Sequence, residues 1–312
     1  MFDPSEIIHC ESYYKLCDYC YTGQDDLPSG VVAVDIQSLP DFIRKIEGKN
    51  ERYVVVCSRS DFGLAIQAEH PAWQDLEKWA GMTAVPALGY SDIIIHTRVD
   101  KDKCNINDKY AIRCWSFTSH TFNEIPDNIV HLFLTNSFVN DPRITAIPFG
   151  VNGTDGNMEA VNRISNLQAN ESQRTKLLYV NFQYYTTERF RLAQYYKTQE
   201  WATVYESNRT TEEFYNDLLT HKFVLCPEGN GPDCYRMLET LYCGAIPVMP
   251  MSDGLYVYYL AKTRVSFTRS LYGLSNTILD KAWEDVQTME FNYDILRLSY
   301  WKGLIDAKRV LL

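Results

Sequence analysis

Short apolar runs rich in valine and isoleucine recur along the chain, and segments with helical spacing separate several of them. In the first half, VVAVDI (31–36), RYVVVCS (52–58), IIIH (93–96), IVHLFLTN (129–136) and ITAIPFGVN (144–152) read as strands. LPDFIRKIEG (39–48) lies between the first two and reads as a helix stopped at Gly48. In the second half, KLLYVNFQ (176–183), WATVYES (201–207), the apolar run 222–226 and the run 245–249 read as strands. Helices are expected from Thr186 or Thr187 onward, over 210–221 behind a capping-box pattern, and after Asp233 as N-cap. Strand, helix, strand in repetition predicts an α/β fold with parallel sheets. The polar, glycine-bearing stretch 153–173 breaks the pattern and marks a domain boundary. The expected domains are residues 1–152 and 153–290, with 291–312 as a terminal helix.

Residues 221–250 form the most informative unit. A buried strand ends at Pro227, and a turn-like loop with Gly229, Asn230 and Gly231 follows. A helix with apolar Met237, Leu238, Leu241 and Tyr242 comes next, Gly244 ends it, and a second strand returns. A glycine-bearing loop entering a helix exposes backbone N–H groups and the positive end of the helix dipole, which favour phosphate. Arg236 in the first turn adds a cation, and Glu239 one turn on can accept two ribose hydroxyls. Loop, arginine and carboxylate in that order describe a nucleoside-diphosphate site. The plainer reading is a βα turn with a solvated Arg–Glu pair.

The stretch KFVLCPEGNGPDCYRMLETLYCGAIPVMPMSDG resembles the sugar-nucleotide motif of exostosin-like glycosyltransferases at Pro227, Gly229, Tyr235, Arg236, Glu239, Gly244, Pro247 and Val248. It departs at Glu228, where the family carries a basic residue, and at Cys234, where it carries serine. The resemblance implies a GT-B-like fold, with two Rossmann-like αβ domains facing across a cleft. It implies transfer of a sugar from a nucleoside-diphosphate donor, UDP-xylose or a UDP-hexose, to a hydroxyl of a glycan or glycoprotein acceptor. Inversion and independence of metal or other cofactor are expected with it. The donor would lie against Arg189 (Arg191 being the alternative), the 227–236 loop, Glu239 and Asp253. The terminal helix would cross back onto the first domain. Short soluble members of this family occur in large algal DNA viruses, and the chain is similar to them in length.

Inversion needs a base for the acceptor hydroxyl. Open parallel sheets bind ligands outside the carboxyl ends of their strands, and the loop 58–63 follows the clearest strand of the first half. Asp61 is the first candidate there, with an Asx turn as its structural alternative. His70 and His96 are the next candidates, along with Glu69 and Asp92. His96 ends the run 93–96 and is placed on the same sheet edge.

Composition narrows the classes. A net charge of −10 argues against nucleic acid or anionic membrane as a partner, so an anionic ligand needs a local cationic site. The N-terminal stretch lacks the pattern of a signal peptide, and no apolar run approaches a spanning length, so a cytoplasmic protein is expected. The odd count of 9 cysteines suits free thiols, and Cys17-x-x-Cys20 without a second pair is a weak zinc signal. No G-x-G-x-x-G follows the first strand, which disfavours dinucleotide enzymes. The remaining alternative is a non-catalytic nucleotide-sugar or glycan-binding module of the same fold.

Overall fold

Strands that are apolar throughout need cover on both faces, and the chain supplies it twice. The computed structural model describes residues 2–59, 125–137, 141–153, 157–167, 173–184, 187–205, 209–229, 233–250 and 262–312, together with the strand backbones 64–66, 85–86, 93–95, 97–98, 115–116 and 139–140. Strands β1 (Tyr19–Cys20), β2 (Gly30–Ala33), β3 (Tyr53–Cys57), β4 (Ile129–Leu134) and β5 (Ile144–Ala146) form a parallel sheet in that spatial order. Every residue of β2, β3 and β4 is buried.

Strands β6 (Lys176–Val180), β7 (Ala202–Val204), β8 (His221–Leu225), β9 (Ile246–Pro250) and β10 (Ser266–Thr268) form a second parallel sheet, ordered β7-β6-β8-β9-β10. The described residues contain seven α-helices: α1 (Leu39–Ile46), α2 (Glu159–Asn166), α3 (Thr187–Tyr196), α4 (Thr211–Thr220), α5 (Tyr235–Tyr242), α6 (Asn276–Val286) and α7 (Leu298–Arg309).

The period of two along each strand sorts the second sheet's side chains. Leu178, Val180, Phe223, Leu225, Ile246 and Val248 pack with Leu192 and Tyr196 of α3 and Leu279 of α6. Tyr179, Val224 and Met249 turn the other way, toward Tyr215 and Leu218 of α4 and Met237, Leu238 and Leu241 of α5. That second core continues into the residues of the first sheet, so α4 and α5 are packed on both sides. From β6 the chain leaves toward the edge strand β7; from β8 it leaves in the opposite direction toward β9. The carboxyl ends of β6 and β8 therefore flank a topological switch point, where open α/β sheets bind ligands.

The last helix returns to the first sheet. Trp301 and Ile305 of α7 are buried in the core that holds β3 and β4. Arg309 donates from Nη1 to both carboxylate oxygens of Asp18 at 2.8 Å, and from Nη2 to the Leu16 carbonyl at 3.1 Å. Among the described residues no helix is long and apolar enough to cross a membrane.

The structure corrects several expectations. Strand 93–95 does not join the parallel sheet but pairs antiparallel with 64–66. The stretch read as a boundary holds α2, whose Ala160, Val161 and Ile164 are buried. Helix α2 has only one apolar stripe in eight residues, so its polar face dominated the reading. Strands β1 and β10 and helix α6 were not foreseen. Asp233 is not the N-cap of α5; Cys234 occupies that place, with no side-chain cap bond.

Candidate functional site

The end of β6 (residues 181–183), the start of α4 and the first turns of α5 converge beside the switch point. A cavity of about 310 Å³ lies there, within the range of about 300–1,000 Å³ usual for small-ligand sites. Asn181, Gln183, Arg209, Phe214, Tyr215, Arg236 and Glu239 line it from the second sheet's side. Asn152, Asn157 and Glu159, on the connection between the sheets, form the facing wall.

Helix α5 begins at Tyr235, so Arg236 stands in its first turn and Glu239 follows one turn later on the same face. The Arg236 guanidinium lies over the Phe214 ring, 5.0 Å from its centroid. Its Nη1 is buried and has no hydrogen-bond partner. A buried, unpartnered cationic N–H costs on the order of 1–3 kcal/mol or more, and such groups mark places a ligand completes. Glu239 is 7% exposed and receives a hydrogen bond from Tyr215 Oη at 3.3 Å. Burial pushes its carboxyl above the usual range, while Arg236, an Asn152 backbone bond and Tyr215 pull the other way.

A second guanidinium lines the same cavity. Arg209 donates from Nε to Asp217 at 2.9 Å, pairs through Nη2 with the same carboxylate at 2.7 Å, and through Nη1 with Glu213 at 3.3 Å. It lies 4.2 Å over the Tyr205 ring. Thr210 caps α4 through the Glu213 N–H, and the Glu213 side chain returns to the Thr210 N–H, which fixes Glu213 beneath Arg209.

Arg189 is buried at the start of α3. It donates to the carbonyls of Glu228 at 2.8 Å, Pro227 at 3.1 Å and Gln183 at 3.2 Å. It thus ties the loop after β6 to the loop after β8, while Arg191 is exposed. The half-buried Glu228 carboxyl is pushed up to about 8 by burial, against the pull of Arg189. Burial thus disfavours the charged form of the acidic residue that stands in the basic position. Cys234 Sγ lies 3.9 Å from the Pro227 carbonyl.

Tyr235 is not part of the cavity lining and stacks on Phe149 with centroids 4.6 Å apart and planes at 22°. Of the residues expected from sequence, Arg236 and Glu239 come together on the cavity wall; Arg189 and the Pro227 carbonyl brace it from behind, beside Gly229. Asn230, Gly231, Asp253, Asp61, His70 and His96 lie outside the described residues. Where the loop of Asp61 begins, Ser58 donates to the Cys10 carbonyl at 3.1 Å and Arg59 pairs with Glu11 at 3.0 Å.

Sequence reasoning missed Arg209, Tyr215, Asn152 and Asn181. Asn181 follows a strand end directly and could have been found by that rule. Tyr215 falls on the apolar face of α4 and reads as core. Among the described residues no three His, Cys, Asp or Glu side chains converge as a metal site.

Residues 161–255 match the family model described as the RXYLT1 C-terminal domain. The matched stretch runs from α2 past β9 and includes Arg189, Arg209, Arg236 and Glu239. The match points to a glycosyltransferase-related family, the RXYLT1 family being one of xylosyltransferases. No curated protein matches the chain.

Proposed function

We propose that the chain is a glycosyltransferase of GT-B type that moves a sugar from a nucleoside diphosphate, a UDP-sugar such as UDP-xylose or a UDP-hexose, to a hydroxyl of a glycan acceptor. The observation that carries this reading is the pairing of Arg236, with its buried unpartnered N–H, and Glu239 one turn on, at the switch-point cavity. The match over residues 161–255 supports the reaction class.

In this reading Arg236 and the amino end of α5 hold the diphosphate and stabilise the charge it gains as the anomeric C–O bond breaks. Glu239 accepts the ribose hydroxyls. Asp61 takes the proton of the acceptor hydroxyl as its oxygen attacks the anomeric carbon from the opposite face, which inverts that centre. Arg189 acts behind these groups, holding the two loops in register. The charge stabilisation comes from guanidinium and helix dipole, so no metal is required of the reaction. Residues 1–152 supply the acceptor side and 153–290 the donor side.

The test is a screen of nucleotide sugars with and without EDTA, following thermal stabilisation and release of diphosphate. One donor that stabilises and is hydrolysed, with the effect lost in Arg236→Ala, is the expected result. Undiminished affinity in Arg236→Ala at an unchanged melting temperature would overturn the assignment. Stabilisation without any transfer or hydrolysis, across acceptors, would identify a binding module instead.

A further inference from the structure

The two arginines of the cavity differ in a way that assigns them different ligand groups. Arg236 has a buried Nη1 without a partner and shows no ion pair among the described residues, so it offers net positive charge. Arg209 is matched by two carboxylates, Asp217 and Glu213, so its charge is already compensated. A compensated guanidinium gains little from an anion but still donates hydrogen bonds; three of its N–H directions are engaged, leaving one on each Nη.

Arg236 lies over Phe214, Phe214 neighbours Tyr179 at 6.1 Å, Tyr179 neighbours Tyr205 at 5.9 Å, and Arg209 lies over Tyr205. Both guanidiniums line the cavity together with Glu239, and of these three rings Phe214 reaches its wall. With the phosphates of a nucleoside diphosphate at Arg236 and its ribose at Glu239, Arg209 is the second guanidinium on the cavity wall, left for the base.

We infer that Arg209 is a specificity-determining residue that reads the nucleobase, selecting a base with a carbonyl acceptor, uracil or guanine, over one with an amino group there. The inference rests on the donor-site reading above. Its chemistry is one-sided: a guanidinium has donors only, so it donates to uracil O4 or guanine O6 and faces cytosine N4 or adenine N6 donor to donor. Asp217 and Glu213 hold the fork in place before the ligand arrives, which lowers the cost of ordering it.

The experiment is calorimetric titration of the full chain with UDP, GDP, CDP and ADP. UDP or GDP should bind on the order of tenfold or more tightly than CDP and ADP, the size expected for one charge-assisted bond. Comparison of UDP with GDP decides which carbonyl base is taken. Arg209→Gln, whose amide can turn either a donor or an acceptor to the base, should erase the preference by weakening the favoured nucleotide, whereas the donor-only Arg209→Lys should keep part of it. The double variant Arg209→Met/Asp217→Asn should do the same without stranding a buried carboxylate, and thermal melts establish that each variant folds. No preference in the wild type, or an equal loss for all four nucleotides in a folded variant, would overturn the inference while leaving the donor site standing. If the wild type binds none of the four, the donor-site reading fails and this inference falls with it.

Discussion

The Asp233 carboxylate accepts a hydrogen bond from the Phe149 backbone N–H at 2.9 Å, across 84 positions of sequence. The bond joins the exit of β5 in the first sheet to the entry of α5 in the second. Asn136, at the end of β4 with φ 53°, completes the joint: its Oδ1 accepts from the Asp233 N–H at 2.7 Å. A short polar residue tolerates that left-handed backbone better than an apolar one. The amino end of α5, and Arg236 with it, is therefore positioned from the first sheet. Asp233→Ala should cost roughly 1.5–3 kcal/mol, the usual worth of a bond to a charged group, and weaken nucleotide binding as well. Denaturant titration and calorimetry on the same variant check both; retained affinity in a destabilised protein would separate the joint from the site.

Glu239→Gln should separate stability from binding. Burial raises the carboxyl's pKa above its unfolded value, so the folded chain holds its proton more tightly. That contribution favours the fold at low pH and fades as pH rises through the folded value. At neutral pH the neutral amide removes the cost, so the melting temperature should rise while nucleoside-diphosphate affinity falls. A trade of this sign is common at binding sites. A variant that loses both stability and affinity would show that the carboxylate is chiefly structural.

Acid should weaken the fold through two histidines. His131, bonded to Thr145 Oγ1 at 2.8 Å, and His221, bonded to the Asp217 carbonyl at 2.7 Å, are both buried. Burial lowers each from 6.5 to about 4, and Lys308 adds to the effect at His131. The unfolded chain binds more protons in that window, so stability present above pH 6.5 is lost as pH falls toward 4. Each site contributes on the order of 3 kcal/mol at the acid end. A pH series of denaturation midpoints should show the decline, and His131→Gln should shrink it.

Gly150→Ala should unseat the N-terminal segment. Gly150 has φ 93°, and a Cβ there would stand 2.7 Å from His9 Cα and 2.9 Å from the Ile8 carbonyl oxygen, both backbone. Left-handed strain alone costs about 1–2 kcal/mol, and the contact adds to it. A neutral substitution would mean that residues 8 and 9 do not hold their place against Val151.

The strand ends and the parallel pairing were legible because runs such as 53–57 and 223–226 are apolar at every position, as a sheet covered on both faces requires. Arg236 and Glu239 were legible because both stand on one helix, one turn apart, where spacing alone puts them on a common face. Helix α2 was not, since one buried stripe in a short polar stretch leaves the average hydropathy low. Asp233 misled because an aspartate before a helix usually caps it; here a distant N–H outcompeted the helix's own.

The sequence by itself determined the α/β alternation, the strand-loop-helix unit at 221–250 and the first-turn arginine, because each is written in residues close along the chain. Only the tertiary structure decided which way each strand's connection turns, and so that the cavity opens at the end of β6 beside α4 and α5. It alone brought Arg209, Tyr215 and Asn152 to the wall that Arg236 and Glu239 share. Those residues come from three separate elements, and no local period relates them; packing of α2 against α4 and α5 does.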